Sequence, residues 1–295
     1  MEILVLGGEG MLGHKMFQTL GQRFPEVGCT IRGSLADPAF QRIDLFQGAE
    51  VIENFDATRF ESLEALLRLH RPEVVANCIG IVIQAEETRS AVLNIGLNAY
   101  LPHLLAEVLS EWGGRLYHFS TDCVFTGHQG RYTEDDFADA DDLYGRSKYL
   151  GEVRQAPNAL TLRTSIIGRE LFRFKSLLEW FLSQNHKSIQ GWTKAIYAGV
   201  TTNYIAQTVA RLIVEYPDLS GLYQVTSTPI SKYDLLLLLR EAYHLDIEIV
   251  PADGRNEDKS MVGEKFVAAT GYVCPPWPEL VTQLAQDPTP YEEWR

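Results

Sequence analysis

Positive charge is scarce in this sequence: 26 Lys and Arg stand against 39 Asp and Glu, a formal net charge of −13. That balance excludes a general binder of nucleic acid or of acidic membranes, whose phosphates such a surface repels. It does not exclude a small anionic ligand, for which one basic pocket suffices. Cysteine is sparse too. Cys29, Cys78, Cys123 and Cys274 lie far apart, with no CxxC pair and no Cys/His cluster. That spacing offers no metal site and fits a reducing compartment. Long apolar runs are missing: "LLLLL" at 235–239 is flanked by charge, and "EILVL" at the start is too short for a signal-peptide core. No low-complexity tract or internal repeat is present. The expectation is a soluble cytoplasmic protein with no nucleic-acid, membrane or metal partner.

What the sequence does have is a large apolar share. Its 295 residues are 45% hydrophobic and 22% charged, enough for one large or two unequal domains with a real core. The first half alternates short apolar runs with helical periodicity. "ILVLG" (3–7) reads as a buried strand, and Leu12, Met16, Leu20 and Phe24 then mark one helix face. "GCTIRG" (28–33) reads as a second strand. Thr58 and Glu61 have the spacing of a capping box for a helix with Phe60, Leu63 and Leu67 inward, ended before Pro72. "EVVANCIG" (73–80), "RLYHFST" (115–121) and "ALTLRTS" (159–165) read as further strands. Residues 91–112 read as a helix with Leu97, Leu101, Leu104, Leu105 and Val108 inward.

Strand alternating with helix predicts an α/β fold, a doubly wound parallel sheet of the Rossmann type over residues 1–165. Beyond, the pattern turns helix-rich: "ELFRFKSLLEWFLSQNHK", "NYIAQTVARLIVEY", and "SKYDLLLLLREAYH" with Ser231 and Asp234 as its cap. Residues 166–295 are therefore expected to be mostly a smaller, discontinuous substrate-binding domain, with some segments returning to the first sheet. The tail, "VCPPWPEL" and "DPTPYEEWR", reads as irregular.

"LGGEGMLGHKM" joins the first strand to the first helix and places Gly7, Gly10 and Gly13 in a G-x-x-G-x-x-G pattern. A tight strand-to-helix turn needs a residue without Cβ. A second glycine lets backbone N–H groups approach a pyrophosphate, and a third lets helix and strand pack closely. Met11 and Leu12 lie between them at the helix N-terminus, so the whole stretch is a candidate dinucleotide cradle. At the end of the second strand stands "TIRGS", with no Asp or Glu to grip a ribose 2′-hydroxyl. Arg32 and Ser34 suit a 2′-phosphate instead, which predicts NADP(H) in preference to NAD(H). A solvent-facing arginine is the other reading of Arg32.

"DDLYGRSKYLGE" (141–152) sets Tyr144 and Lys148 four residues apart, one helical turn, on a shared face. Alone, that spacing also describes an ordinary amphipathic turn. Upstream, "HFSTDCVFTG" (118–127) puts Ser120, Thr121 and Asp122 at the C-terminal end of a predicted strand, where doubly wound sheets bind ligands. The competing reading of Ser-Thr-Asp is a loop and helix cap.

Together the glycine pattern, "FSTDCVF", "YGRSK" and "LRTSIIG" resemble the extended short-chain dehydrogenase/reductase family. The nearest resemblance within it is to the dTDP-4-dehydrorhamnose reductase-like group of nucleotide-sugar 4-ketoreductases, from residue 1 to about residue 170. The resemblance implies that Tyr144 protonates the carbonyl oxygen, and that Lys148 binds the nicotinamide ribose and lowers the tyrosine pKa. Thr121 would hydrogen-bond the same oxygen. Asn94 matches an asparagine of the family's corresponding helix, and Asp56 an aspartate near the adenine. Cys78 and Gly80, in "NCIG", would line the cofactor. Arg163 and Thr164 fall beside the site, Arg163 being equally readable as structural.

Cys123 stands where the family has a tyrosine thought to face the substrate, so it and Asp122 are candidate substrate contacts. The 4,6-dehydratases of the superfamily tend to carry a glutamate at that place, and its absence speaks against dehydration. The resemblance thus implies reduction of a nucleotide-linked 4-keto-6-deoxyhexose, in the biosynthesis of activated sugars and polysaccharides. An epimerase, a dehydratase or a non-catalytic NADP-binding regulatory subunit are the alternatives. On the substrate side, Arg169, Arg173 and Lys175 offer cations for a nucleotide diphosphate, and Thr201 and Thr202 fall where similar reductases touch the sugar. The acidic run "TEDDFADADD" (133–142) reads as a solvated loop. A homodimer is common for this architecture.

Overall fold

The computed structural model describes residues 1–82 and 89–295. Its centre is a seven-stranded sheet in the order β10-β6-β5-β4-β1-β2-β3. The strands are β1 (Ile3–Leu6), β2 (Val27–Thr30), β3 (Glu50–Ile52), β4 (Val74–Asn77), β5 (Arg115–Ser120), β6 (Ala159–Arg163) and β10 (Gly221–Gln224). Every pairing among them is parallel. The order 3-2-1-4-5-6 is that of a doubly wound dinucleotide fold, and it places a topological switch point between β1 and β4.

One face of the sheet is covered by α1 (Met11–Gly21) and by α7 (Thr202–Glu215), which bring Leu12, Met16, Phe17 and Leu20 together with Ile205, Val209 and Leu212 in one apolar cluster. The other face carries α3 (Phe60–His70) and α4 (Ala91–Ser110). Leu63, Leu67, Leu97, Leu101, Leu104, Leu105 and Val108 form the second cluster there, as their 3.6-residue periodicity predicts. A short helix, α2 (Pro38–Gln41), lies between β2 and β3.

Several expectations need correction. No capping box opens α3: Arg59 occupies the cap without a side-chain bond, and the Thr58 hydroxyl goes to Asp56 Oδ1 at 2.6 Å. The helix does end before Pro72, with Arg71 left-handed at φ 42°. Among the described residues α4 is long and apolar enough to span a membrane, so the expectation of no such segment was too strict. Its apolar side is the sheet-facing core just named, which accounts for its composition. Within it, Asn94–Tyr100 is π-helical, a widened turn often found where a helix borders a site.

The second half holds α6 (Leu177–Leu182), α8 (Lys232–Ala242), α9 (Glu264–Thr270) and α10 (Trp277–Ala285). They accompany a three-stranded sheet of β11 (Ile230–Ser231), β8 (Ser188–Tyr197) and β12 (Glu248–Asp258), and the pair β7 (Ile166–Ile167) and β9 (Val200–Thr201). The helix expected across 170–187 starts only at Leu177, because Arg173 and Phe174 are both left-handed, at φ 69° and 49°. Ser231 caps α8 as expected, accepting from the Asp234 N–H at 3.0 Å. The tail is not wholly irregular: Pro278 fits the first turn of α10, where no N–H is needed. β12 escapes a sequence reading because "EIVPADGRNED" is polar and holds Pro251 and Gly254; its register shifts between Ala252 and Asn256.

Candidate active site

The strand ends β1, β2, β4 and β5 and the start of α5 (Leu143–Leu150) converge at the switch point. The glycine loop is built as its spacing predicts. Gly7 adopts φ +81°, and a Cβ on Gly13 would stand 1.9 Å from the Gly7 carbonyl oxygen. Only a bare Cα lets α1 approach β1 this closely. The loop is tied to β2 through Gly7 N–H to Thr30 Oγ1 (3.0 Å) and Gly8 N–H to Thr30 O (2.8 Å). Gly10 leads into α1, whose first turn carries no acidic residue, so its free N–H groups can receive a pyrophosphate. Met11 is half-buried at this rim, while Leu12 gives its side chain to the core and only its backbone to the loop. A Cβ on Gly7 would touch the Cys78 carbonyl at 3.4 Å, which sets Cys78 across the crevice; burial raises its thiol pKa. These residues fit a nicotinamide dinucleotide: loop, helix terminus and strand ends form a cradle whose backbone a Cβ at 7 would strain and one at 13 would force apart.

Tyr144 and Lys148 lie on one face of α5. The Lys148 ammonium donates to the Phe119 carbonyl at the end of β5 (2.7 Å). A Cβ on Gly80 would stand 3.9 Å from it. Burial lowers the Lys148 pKa to about 8 against the opposing pull of Glu152. The Tyr144 phenol is raised by burial and by Cys123, with its hydrogen bond to Thr121 acting the other way. The expected lowering of the tyrosine does not prevail: burial outweighs it, raises the phenol and keeps it protonated. Thr121 caps the turn at 122–124, accepting from Cys123 N–H and donating to Asp122 Oδ1, both at 3.1 Å. Gly145 is needed at its place because a Cβ there would meet the Cys123 carbonyl at 2.2 Å. Asp122 and Cys123 thus lie against the tyrosine; burial and Asp122 push the Cys123 thiol up to about 12, which makes it a packing group rather than a nucleophile.

Asn94 is buried and donates to Ser90 O at 2.8 Å. The residue that sequence reasoning missed is Asn98, one turn on. It accepts from Ile81 N–H (2.8 Å) and donates to Ser147 Oγ (3.2 Å), joining the end of β4, α4 and α5. Its i+4 spacing from Asn94 on an otherwise apolar helix was the signal available. Two more groups come from the second half. Tyr197, at the end of β8, is buried with its phenol raised by burial and by Asp122 and Cys123. Lys232, the first residue of α8, is lowered by burial and Arg255 while Glu257, Asp122 and Cys123 pull it up. Both lie within electrostatic reach of Asp122 and Cys123, and no motif marked either.

Other candidates lie elsewhere. Arg163 is structural: its buried guanidinium makes a two-point pair with Glu152. Thr164 is buried beside it. Arg169 is not a free anion grip, since buried Glu179 (2.7 Å) and exposed Glu292 (2.6 Å) hold it over the Tyr291 ring. Thr201 caps α7 by accepting from Tyr204 N–H at 3.2 Å, and Thr202 packs on Gly168; both are buried. Arg173 and Lys175 are exposed on the turn before α6. Asp56 is half-exposed and bonded to Thr58 and Arg59. Arg32 and Ser34 each meet an acid: Arg32 Nε donates to Glu9 Oε1 at 2.8 Å, and Ser34 Oγ to Glu53 Oε2 at 2.8 Å. The acidic run is divided among local bonds, such as Asp142 capping α5 and Asp139 holding Thr126. No metal-ligating cluster is formed among the described residues.

Residues 1–287 match the sequence pattern of the RmlD substrate-binding domain. A probable dTDP-4,6-dihydroxy-2-methyloxan-3-one 4-ketoreductase of Streptomyces antibioticus is 32% identical over 171 residues, 56% of this chain and 51% of that protein. Methionine adenosyltransferase 2 subunit beta of Rattus norvegicus is 27% identical over 163 residues, 54% of this chain and 43% of that one. The chain thus matches about half the length of these curated relatives. Among solved structures, a dTDP-4-dehydrorhamnose reductase of Bacillus anthracis in complex with NADP superposes with a TM-score of 0.75 at 19% identity, over 96% of this chain and 97% of that one.

Proposed function

The chain belongs to the RmlD substrate-binding-domain family, and from that premise we propose that it reduces the 4-keto group of a nucleotide-linked 4-keto-6-deoxyhexose to an alcohol. The observation that carries the reading is the shared face of Tyr144 and Lys148, with Thr121 at the phenol and Lys148 at the end of β5, across the crevice from the glycine loop. A reduced nicotinamide dinucleotide, bound across the switch point, supplies the hydride. The Tyr144 phenol, protonated because it is buried, gives its proton to the carbonyl oxygen. Thr121 orients that oxygen, and the Lys148 charge steadies the tyrosinate that remains until solvent returns a proton. Asp122, Cys123, Tyr197 and Lys232 border the place left for the sugar; Lys232 offers a cation there for a diphosphate.

The test is oxidation of NADH and NADPH by the full chain with a panel of nucleotide-linked 4-keto-6-deoxyhexoses. Sugar-dependent oxidation that falls by a factor of about 100 or more in Tyr144→Phe supports the reading, the usual range for loss of a general acid. The similarity to the adenosyltransferase subunit supplies a second reading, a dinucleotide-binding subunit of another enzyme. It takes precedence if the dinucleotide binds, no sugar is turned over and Tyr144→Phe changes nothing.

A further inference from the structure

In a doubly wound dinucleotide fold the adenosine ribose lies at the C-terminal end of β2. In this chain the donors at that end already face carboxylates. Glu9, inside the glycine loop between Gly8 and Gly10, reaches across: its Oε2 accepts from Arg32 N–H (2.9 Å) and Gly33 N–H (3.4 Å), and its Oε1 from Arg32 Nε (2.8 Å). Asp37 accepts from Ser34 N–H at 3.3 Å. Glu53 accepts from Leu35 N–H at 2.6 Å and from Ser34 Oγ at 2.8 Å. The backbone donors from 32 to 35, the arginine and the serine are thus all drawn to acids. The Glu9 side chain is only 14% exposed, against 64% for Arg32. The carboxylate is the fixed member of the pair, and the guanidinium lies over it.

We infer that Glu9 makes this end of the crevice a diol-binding site that selects NAD(H) over NADP(H). The inference rests on the dinucleotide reading proposed above. A 2′-phosphate would bring nearly two negative charges to a corner that holds Glu9, Asp37 and Glu53 against the single charge of Arg32. To reach the backbone donors of this corner or Arg32 Nε it would have to displace the carboxylates that already hold them. A ribose hydroxyl faces no such conflict, because it can donate to Glu9 Oε1, which has a lone pair left after its single bond to Arg32. The acid that a second strand of this fold commonly supplies comes here from the loop beside it. The preference expected from Arg32 and Ser34 in the sequence is thereby reversed.

Titration of NADH and NADPH against the full chain by nucleotide fluorescence tests this without turnover. NADH is expected to bind at least about tenfold more tightly, the equivalent of 1.4 kcal/mol. Glu9→Gln is expected to tighten NADPH and so shrink the ratio, with Tm checked for folding. Arg32→Ala should leave NADH preferred, because the carboxylate stays. Equal or tighter binding of NADPH to the wild type overturns the inference, as does an unchanged ratio in a folded Glu9→Gln. If that variant does not fold, the wild-type ratio still decides. Failure of both dinucleotides to bind removes the dinucleotide reading itself, a different outcome from a wrong preference.

Discussion

Truncating Glu152 would expose how the site is held from beneath. Its carboxylate accepts from Arg163 Nε at 2.7 Å and Nη2 at 2.8 Å, from Ser120 Oγ at 2.7 Å and from Arg154 Nη2 at 2.5 Å. Both side chains of the Glu152–Arg163 pair are 0% exposed. Burial by itself raises the Glu152 pKa, but Arg163, Ser120 and Arg154 outweigh it and leave the carboxyl below its ordinary range. In Glu152→Ala the Arg163 guanidinium loses its only ion-pair partner among the described residues and keeps a contact with the Phe125 ring, 5.0 Å away. Breaking a buried pair from one side costs about 3–5 kcal/mol, because a charge is left without solvent or partner. Replacing both, as Glu152→Leu with Arg163→Met, removes the orphan and should cost less than the single change. Urea unfolding of wild type, Glu152→Ala, the double variant and its two singles, Glu152→Leu and Arg163→Met, followed by circular dichroism, reads this directly. A single variant within about 1 kcal/mol of wild type, the scale of an ordinary surface change, would refute the argument. So would a double variant as unstable as the sum of the singles. The pH dependence has a fixed sign. A depressed carboxyl stabilises the fold above its unfolded value near 4.5 and loses that contribution as pH falls through the folded value, so the wild type should lose more stability below about pH 4.5 than the apolar pair.

Two further perturbations address the chemistry. The Lys148 charge is lost as pH rises through about 8, whereas the phenol of Tyr144 stays protonated beyond that. Reduction should therefore fall on the alkaline side with an apparent pKa near 8, and Lys148→Arg should shift that limb upward; a wild-type profile flat to pH 10 would contradict the role given to Lys148. Gly13→Ala would set a methyl 1.9 Å from the Gly7 carbonyl oxygen. It should cost about 1–3 kcal/mol or more in stability and weaken dinucleotide binding, both checked by thermal melts with and without NADH.

What could be read from the sequence was whatever depends on neighbours in the chain. A glycine loop between a strand and a helix, a tyrosine and lysine one turn apart, and apolar residues at helical spacing each carry their geometry in their spacing. What could not be read was the identity of a distant counter-charge. Arg32 reads as a phosphate ligand until Glu9, 23 residues earlier, is found beneath it. Arg169 reads as a diphosphate grip until Glu292, 123 residues later, is found beside it. A charged residue displays its own sign but not the sign of what folds against it. β12 was hidden for a different reason: its bulge accommodates turn residues that a regular strand excludes.

The C-terminal tail shows how far such hidden pairing reaches into the site. It has little periodicity, yet it fastens the helix that carries the glycine loop. Tyr291 Oη meets His14 Nε2 at 2.9 Å while His14 Nδ1 meets the Gly10 carbonyl at 2.8 Å. Asp287 pairs with Lys15 at 2.6 Å, both side chains less than a tenth exposed. Burial drives the His14 pKa down to about 4, so at neutral pH the ring is uncharged and one nitrogen can donate to Gly10 while the other accepts from Tyr291. The Gly10 carbonyl is thus held through a neutral imidazole by a residue 277 positions away from that histidine. A loop that looks local in sequence is tied to β2 at Gly7 and Gly8 and, through His14, to the far end of the chain at Gly10.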